Sequence, residues 1–212
     1  MDPKQGPVSV ARKQGRPRGS YAKSATTKAA ILDAALAVFA EGGYRAGSLR
    51  EVAARVGISE TGLLHHFKSK SRLLERVLER RDELAAQFVP RNDMPDGVHT
   101  MHGLIALAQF NASEPGAVEL YCTLSAEATS PGHPAHVYFT KRYASTRGTL
   151  VQAFTDLRER GMLAAGVAPD AAARSTIALM DGLQVQWLFD RSALDMAEEL
   201  RLHLMRITTL EL

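Results

Sequence analysis

The sequence predicts an all-α chain, in which a small N-terminal three-helix bundle precedes a larger helical domain. Three observations lead there. Apolar residues recur at helical spacing along most of the 212 residues. Alternating strand patterns are missing, with HVYFT at 136–140 the only ambiguous run. Proline, glycine and aspartate cluster where helices of ordinary length would end. The chain is long enough for one sizeable core or for a small module fused to a larger one, and it holds no internal repeat.

Residues 1–24 are poor in large apolar groups and carry Gly, Pro and Ser among Lys4, Arg12, Lys13, Arg16, Arg18 and Lys23, so they predict a flexible basic arm. Within it, GRPRG at Gly15 to Gly19 is similar to the hook that lies in an A·T-rich minor groove, with Arg16 and Arg18 reaching toward the floor. The other reading is a tail that only adds positive charge; either way the arm adds salt-dependent affinity for DNA. From Thr26, TTKAAILDAALAVFAEGGY gives a helix with Ile31, Ala35, Val38 and Phe39 on one face, stopped by Gly42 and Gly43. Ser48 and Glu51 have the spacing of a reciprocal capping box, and Leu49, Val52, Ala53 and Val56 form the apolar stripe that follows. Gly57 ends this second helix, Ile58 fills the angle and Ser59 caps a third. Leu63 and Phe67 point inward. Glu60, Thr61, Gly62, Leu64, His65 and His66 are left facing out, a small hydrogen-bonding surface suited to a major groove.

Beyond Lys70 the pattern stays helical. One helix runs from about Ser71 to Phe88, the next from Val98 to Ala112, and Pro115 and Gly116 start another that lasts to about Thr129. Pro131, Gly132 and Pro134 open a long helix that Gly161 closes; Pro169 to Asp190 and Ser192 to Leu210 complete the chain. The expected division is an arm over 1–24, a helix-turn-helix unit over 25–70 and a helical domain over 71–212.

Charge supports that division. Residues 1–80 hold 15 Lys and Arg against 7 Asp and Glu, a net of +8, while residues 81–212 hold 11 against 16, a net of −5. The basic end carries the helix-turn-helix pattern and faces a polyanion. Cys122 is the only cysteine, which excludes an intrachain disulfide and fits a reducing compartment. No apolar run reaches the length of a membrane span and no secretory signal pattern is present, so a cytoplasmic chain without a membrane partner is expected.

The stretch from Thr27 to Val77 closely resembles the DNA-binding domain of the TetR family of bacterial transcriptional regulators. The third helix of that family usually ends in Leu-Tyr-x-His-Phe, with a Lys soon after; here the run is Leu63, Leu64, His65, His66, Phe67 and then Lys70. Leu64 replaces a tyrosine that commonly touches the DNA backbone. The resemblance implies that Ser48, His66 and Lys70 meet phosphates and that Glu60, Thr61, Gly62 and His65 face base edges. It also implies a homodimer paired through the last two helices, double-stranded DNA with an inverted-repeat operator, and a small organic effector in the larger domain.

Two features fit those implications. Small residues Ala171, Ala172, Ser175, Ala178 and Gly182, with Leu179, permit close approach of a helix, and Met196, Leu200, Leu204 and Ile207 line one side of the last one. DGLQVQWLFD places Asp181, Gln184 and Gln186 beside Trp187 in an apolar helix, and buried polar groups need partners. A ligand pocket would use Gln184 and Trp187, with walls from Phe110, Tyr121, Tyr138 and Tyr143; the alternative is that these aromatics fill the core.

His99 with His102 and His133 with His136 have metal-compatible helical spacing, but nothing orders them with Cys122 into one site, so no metal and no cofactor is expected. Phosphate-cradling loops, nucleophile elbows and CxxC pairs are missing, which argues against an enzyme. The reading is a ligand-responsive DNA-binding repressor. The alternative is an architectural DNA binder without an effector, which would need no cavity.

Overall fold

The computed structural model describes residues 18–89 and 96–212, with side chains from Ser24 onward. Arg16 lies outside the described residues. The first helix, α1 (Arg18–Ala46), begins well before Thr27 and takes in the last residues of the expected arm, Arg18 among them. The sequence permits this: Pro17 precedes the first turn, and of residues 18–26 only Gly19 is a poor helix former. α1 leaves helical geometry at Gly43 (φ 68°, ψ 178°), where the paired glycines are expected to stop it.

The helix-turn-helix forms from α2 (Leu49–Val56) and α3 (Glu60–His66). Ser48 Oγ accepts the Glu51 N–H at 3.1 Å. The expected return bond is displaced, because Glu51 Oε1 instead accepts from Arg55 Nη2 at 2.9 Å, and Arg55 also binds Glu41 on α1. Gly57 is left-handed (φ 73°, ψ 32°). That lets the Ile58 N–H reach back to the Ala53 carbonyl at 3.0 Å and turn the chain. Ser59 Oγ then caps α3 through the Gly62 N–H at 3.0 Å.

The rest is α4 (Lys70–Ala85), α5 (Gly97–Ser113), α6 (Pro115–Glu127), α7 (His136–Glu159), α8 (Pro169–Phe189) and α9 (Met196–Ile207). HVYFT opens α7 and is helical. α9 starts later than Ser192, because Ser192 closes a turn on Asp190 Oδ1 and Asp195 caps the helix through the Ala197 and Glu198 N–H groups. Among the described residues no strand forms; Leu163 and Thr208 make one isolated antiparallel bridge that ties the C-terminal segment to the end of α7.

Burial divides the molecule into two cores. The first joins Ile31, Phe39, Val52, Leu63, Leu73 and Leu74 of α1–α4 to Leu120, Tyr121 and Leu124 of α6 and Phe139 of α7. The helix-turn-helix therefore shares its interior with the larger domain. The second core joins α5, α7, α8 and α9 around Met101, Phe154, Leu157, Trp187, Leu200 and Leu204. Met196, Leu200 and Leu204 face into it, so the apolar side of α9 is covered within the chain by α5 and α8. Amphipathicity shows which face of a helix is apolar; it does not show which neighbour covers it.

The start of α5 lies close on α7. Gly97 donates its N–H to Asp156 Oδ2 at 2.9 Å, and a Cβ there would lie 2.5 Å from the Ala153 carbonyl oxygen and 2.6 Å from Leu157 Cγ. Gly97→Ala is expected to lower stability by about 1–3 kcal/mol, as overpacking does. Urea denaturation checks this; an unchanged midpoint would show that α5 moves away freely.

Candidate DNA interface and ligand cavity

α3 is held from beneath and presented outward. Leu63 is fully buried and Phe67 nearly so. Glu60, Thr61, Leu64 and His65 are exposed, and Gly62 and His66 are half-buried. The His65 and His66 rings stand 5.9 Å apart and nearly perpendicular. Leu64 puts an apolar group, 37 % exposed, where a phenol would offer a hydroxyl. Ser48 accepts the Glu51 N–H and keeps its own proton to donate. Arg45, Arg50 and Lys68 add exposed cations at the ends of these helices; their position flanking the motif is the only sequence signal for them.

Lys70 holds the junction between this surface and the rest of the chain. Its Nζ donates to the Arg45 carbonyl at 3.2 Å and sits 4.5 Å from the centre of the Tyr44 ring. Burial lowers its pKa, partly offset by the Glu127 charge. Glu127, at the end of α6, accepts the Tyr44 N–H at 3.0 Å and lies 3.3 Å from His133 Nε2. The His133 ring meets Tyr44 edge-on. The end of α1 and the start of α4 are thus fixed to α6.

Behind the junction, α4 to α8 line a half-open cavity of about 90 Å³. Tyr121, Tyr143 and Gln184 lie on its wall. Phe110, Tyr138 and Trp187 do not. Phe110 packs on Phe88 with ring centres 5.1 Å apart, Tyr138 donates to the Leu78 carbonyl at 3.5 Å, and Trp187 is buried in the second core with Arg191 over its ring. In helices apolar on more than one side, the sequence does not say which way an aromatic turns.

Spacing alone also gave no sign of the wall's charged groups, Arg81, Asp82 and Arg142. Arg142 pairs with Asp82. The Arg81 guanidinium carbon lies 3.9 Å from the centre of the Tyr121 ring, and that of Arg142 lies 5.4 Å away. Tyr143 donates to Asp181 Oδ2 at 2.8 Å. Burial, reinforced by Asp181, pushes the Tyr143 hydroxyl up to about 12, and burial pushes the Cys122 thiol up to about 11. Burial and the nearby Arg81 both disfavour the Arg142 charge.

Burial raises the Asp181 carboxyl above the usual aspartate range, against the lowering effects of Tyr143, Arg142 and Arg81. The folded chain therefore holds that proton to higher pH than the unfolded chain. Stability from this group is complete below about pH 4 and is lost as pH rises through the raised pKa. Asp181→Asn is expected to be more stable than the parent at pH 7, with the gap closing toward pH 4. Chemical denaturation across that range checks it, and a gap that widened on acidification would reverse the sign.

The histidine pairs are otherwise engaged or exposed. His99 and His102 face solvent. His133 Nδ1 accepts the Ala135 N–H, and His136 Nδ1 binds the Ala128 carbonyl. Among the described residues no cluster of three or more His, Cys, Asp or Glu is arranged to hold a metal ion. None of the described helices is long and apolar enough to cross a membrane.

A capped helix-turn-helix with an outward-facing second helix, packed on a larger helical domain, defines a DNA-binding regulator. The comparisons agree. The family model described as bacterial regulatory proteins, tetR family, matches residues 31–77, and the one described as BetI-type transcriptional repressor, C-terminal, matches residues 102–210. The chain belongs to the TetR family. It is 32% identical over 155 residues to the HTH-type transcriptional repressor KstR2 of Rhodococcus jostii, covering 69% of this chain and 68% of that one. It is 25% identical to the HTH-type transcriptional repressor BepR of Brucella suis, covering 84% and 88%. A TetR-family regulator of known structure from Agrobacterium tumefaciens superposes with a TM-score of 0.70 at 20% identity, covering 87% of this chain and 99% of that one. Family membership makes the chain a DNA-binding transcriptional regulator and not an enzyme.

Proposed function

We propose that the protein is a homodimeric repressor that leaves an inverted-repeat operator when a small organic effector enters the cavity between α4 and α8. The observation that carries this is the cavity wall: α4, which begins three residues after Phe67 at the end of the recognition helix, reaches the cavity with Arg81, Asp82 and Ala85. A ligand that prefers one placement of α4 alters the spacing of the two recognition helices. Moving a mostly bound population to a mostly free one requires a preference of about 5 kcal/mol for the released arrangement. An architectural binder would have no use for such a space.

The dimer is supported by α8. Ala171, Ser175, Ala178, Gly182, Val185 and Phe189 fall on one stripe by helical spacing, and Phe189 is 89 % exposed. Met205 on α9 adds to the uncovered apolar surface. Pairing two such stripes about a two-fold axis buries them and gives the symmetry that an inverted repeat requires. Thr61, Gly62, His65 and Glu60 would read bases, while Ser48, His66 and Lys70 would hold phosphates.

The test is footprinting on the DNA that flanks the protein's own gene. Two protected half-sites about one helical turn apart, related by inversion, are expected. Protection without symmetry, or none that exceeds random DNA, would overturn the proposal.

A further inference from the structure

We infer that the effector is an organic anion, carrying one carboxylate and an apolar body, and that Arg81 is the group that receives its charge. This rests on reading the cavity as the effector site. Among the described residues, Arg81 Nε and Nη1 and Arg142 Nε are buried without a hydrogen-bond partner. Buried guanidinium donors normally have partners, because leaving them bare forfeits their hydration with nothing in return. Both residues line the cavity, so a ligand there can supply what the chain does not.

The two arginines differ in what they have to offer. Arg142 already binds Asp82 through Nη1. The Arg81 guanidinium carbon sits 3.9 Å from the centre of the Tyr121 ring, a contact that engages its π face and leaves its N–H groups to meet an acceptor. A carboxylate can take one edge of the guanidinium, Nε with Nη2 or Nη1 with Nη2, and so gives one of the two bare nitrogens a charged partner that a neutral carbonyl does not match. Two carboxylates also face the space, but neither hydrogen-bonds Arg81 Nε or Nη1. Asp82 is held by Arg142, and Asp181 is turned to the Tyr143 hydroxyl while burial favours its protonated form. A cationic ligand would be brought against two guanidinium groups without water between them.

The apolar part of the wall defines the remainder of the ligand. Leu104, Leu107, Leu150, Ile177 and Met180 are apolar and suit a hydrocarbon or aromatic body. Gln184 Oε1 is buried there without a partner. It calls for a donor, so an acid that also bears a hydroxyl or N–H should bind more tightly than one without.

The experiment uses the full-length protein and matched probes: octanoate, 3-phenylpropionate and 3-(4-hydroxyphenyl)propionate, each beside its amide and its primary amine. Nile red, a neutral apolar dye, is included as a probe of the space itself. Thermal shift and calorimetry are expected to show at least one acid binding at least about tenfold more tightly than its amide, a difference of about 1.4 kcal/mol, with the amine weakest. Arg81→Met is expected to remove that preference while the variant still takes up Nile red. Arg81→Lys, which keeps the charge and loses the planar fork, is expected to fall between and carries the test if the Met variant does not fold. The inference is overturned if amides or amines bind as well as the acids, if the acids bind Arg81→Met as well as the parent, or if no acid binds. Nile red separates the two levels: bound dye without acid preference removes only the anion, whereas a cavity that takes neither dye nor acid removes the effector site as well.

Discussion

Phe189→Asp is expected to yield a monomer that binds operator DNA about 100-fold more weakly than the parent, a loss of roughly 3 kcal/mol. Phe189 is the most exposed large apolar side chain among the described residues, at 89 %. It stands at the end of a stripe of small residues on α8 that permits close approach of another helix. A charge placed there must be desolvated for the stripe to pair, and in the proposed dimer that pairing holds two recognition helices at a fixed separation. Once the pair is split, each head binds alone and the gain from joining two weak contacts is lost. Analytical ultracentrifugation and operator titration check the two parts. Phe189→Leu should remain dimeric, and an Asp variant that sediments as a dimer with full affinity would remove α8 from the interface.

Substitutions on the recognition helix and at the start of α4 are expected to divide into two kinds. Thr61→Ala and His65→Ala should each cost about 1–3 kcal/mol on the operator and change which sequences are preferred, because their side chains project outward from α3 where base edges would lie. Lys70→Ala should weaken binding to operator and random DNA alike and flatten the salt slope by about one. Lys70 also ties the Arg45 carbonyl, so its thermal midpoint needs to be followed beside the titration. Equal losses on specific and random DNA for all three would contradict the division.

Much of the head was legible in the sequence because local rules determine it. Ser48, Gly57 and Ser59 do in three dimensions what their types and spacing imply, and Leu63 and Phe67 are buried while Thr61 and His65 are not. The return half of the capping box failed, since Arg55 lies one turn beyond Glu51 and offers a charged donor. The cavity was legible in outline only. Tyr121, Tyr143 and Gln184 reach its wall, while Phe110, Tyr138 and Trp187 fill other spaces. Arg81 and Arg142 look like ordinary surface cations in a linear reading. Their burial depends on α4 and α7 meeting across sixty residues of chain, and periodicity does not encode that.

The interior shared by α1–α4 and α6 limits how this protein can be re-engineered. Grafting its head onto the body of a relative by cutting at Lys70 would strip Ile31 and Phe39 of the Leu120, Tyr121 and Leu124 with which they form one core. It would also leave the Tyr44 amide without the Glu127 carboxylate. A chimera that is to read this protein's operator therefore has to carry α6 together with the first four helices.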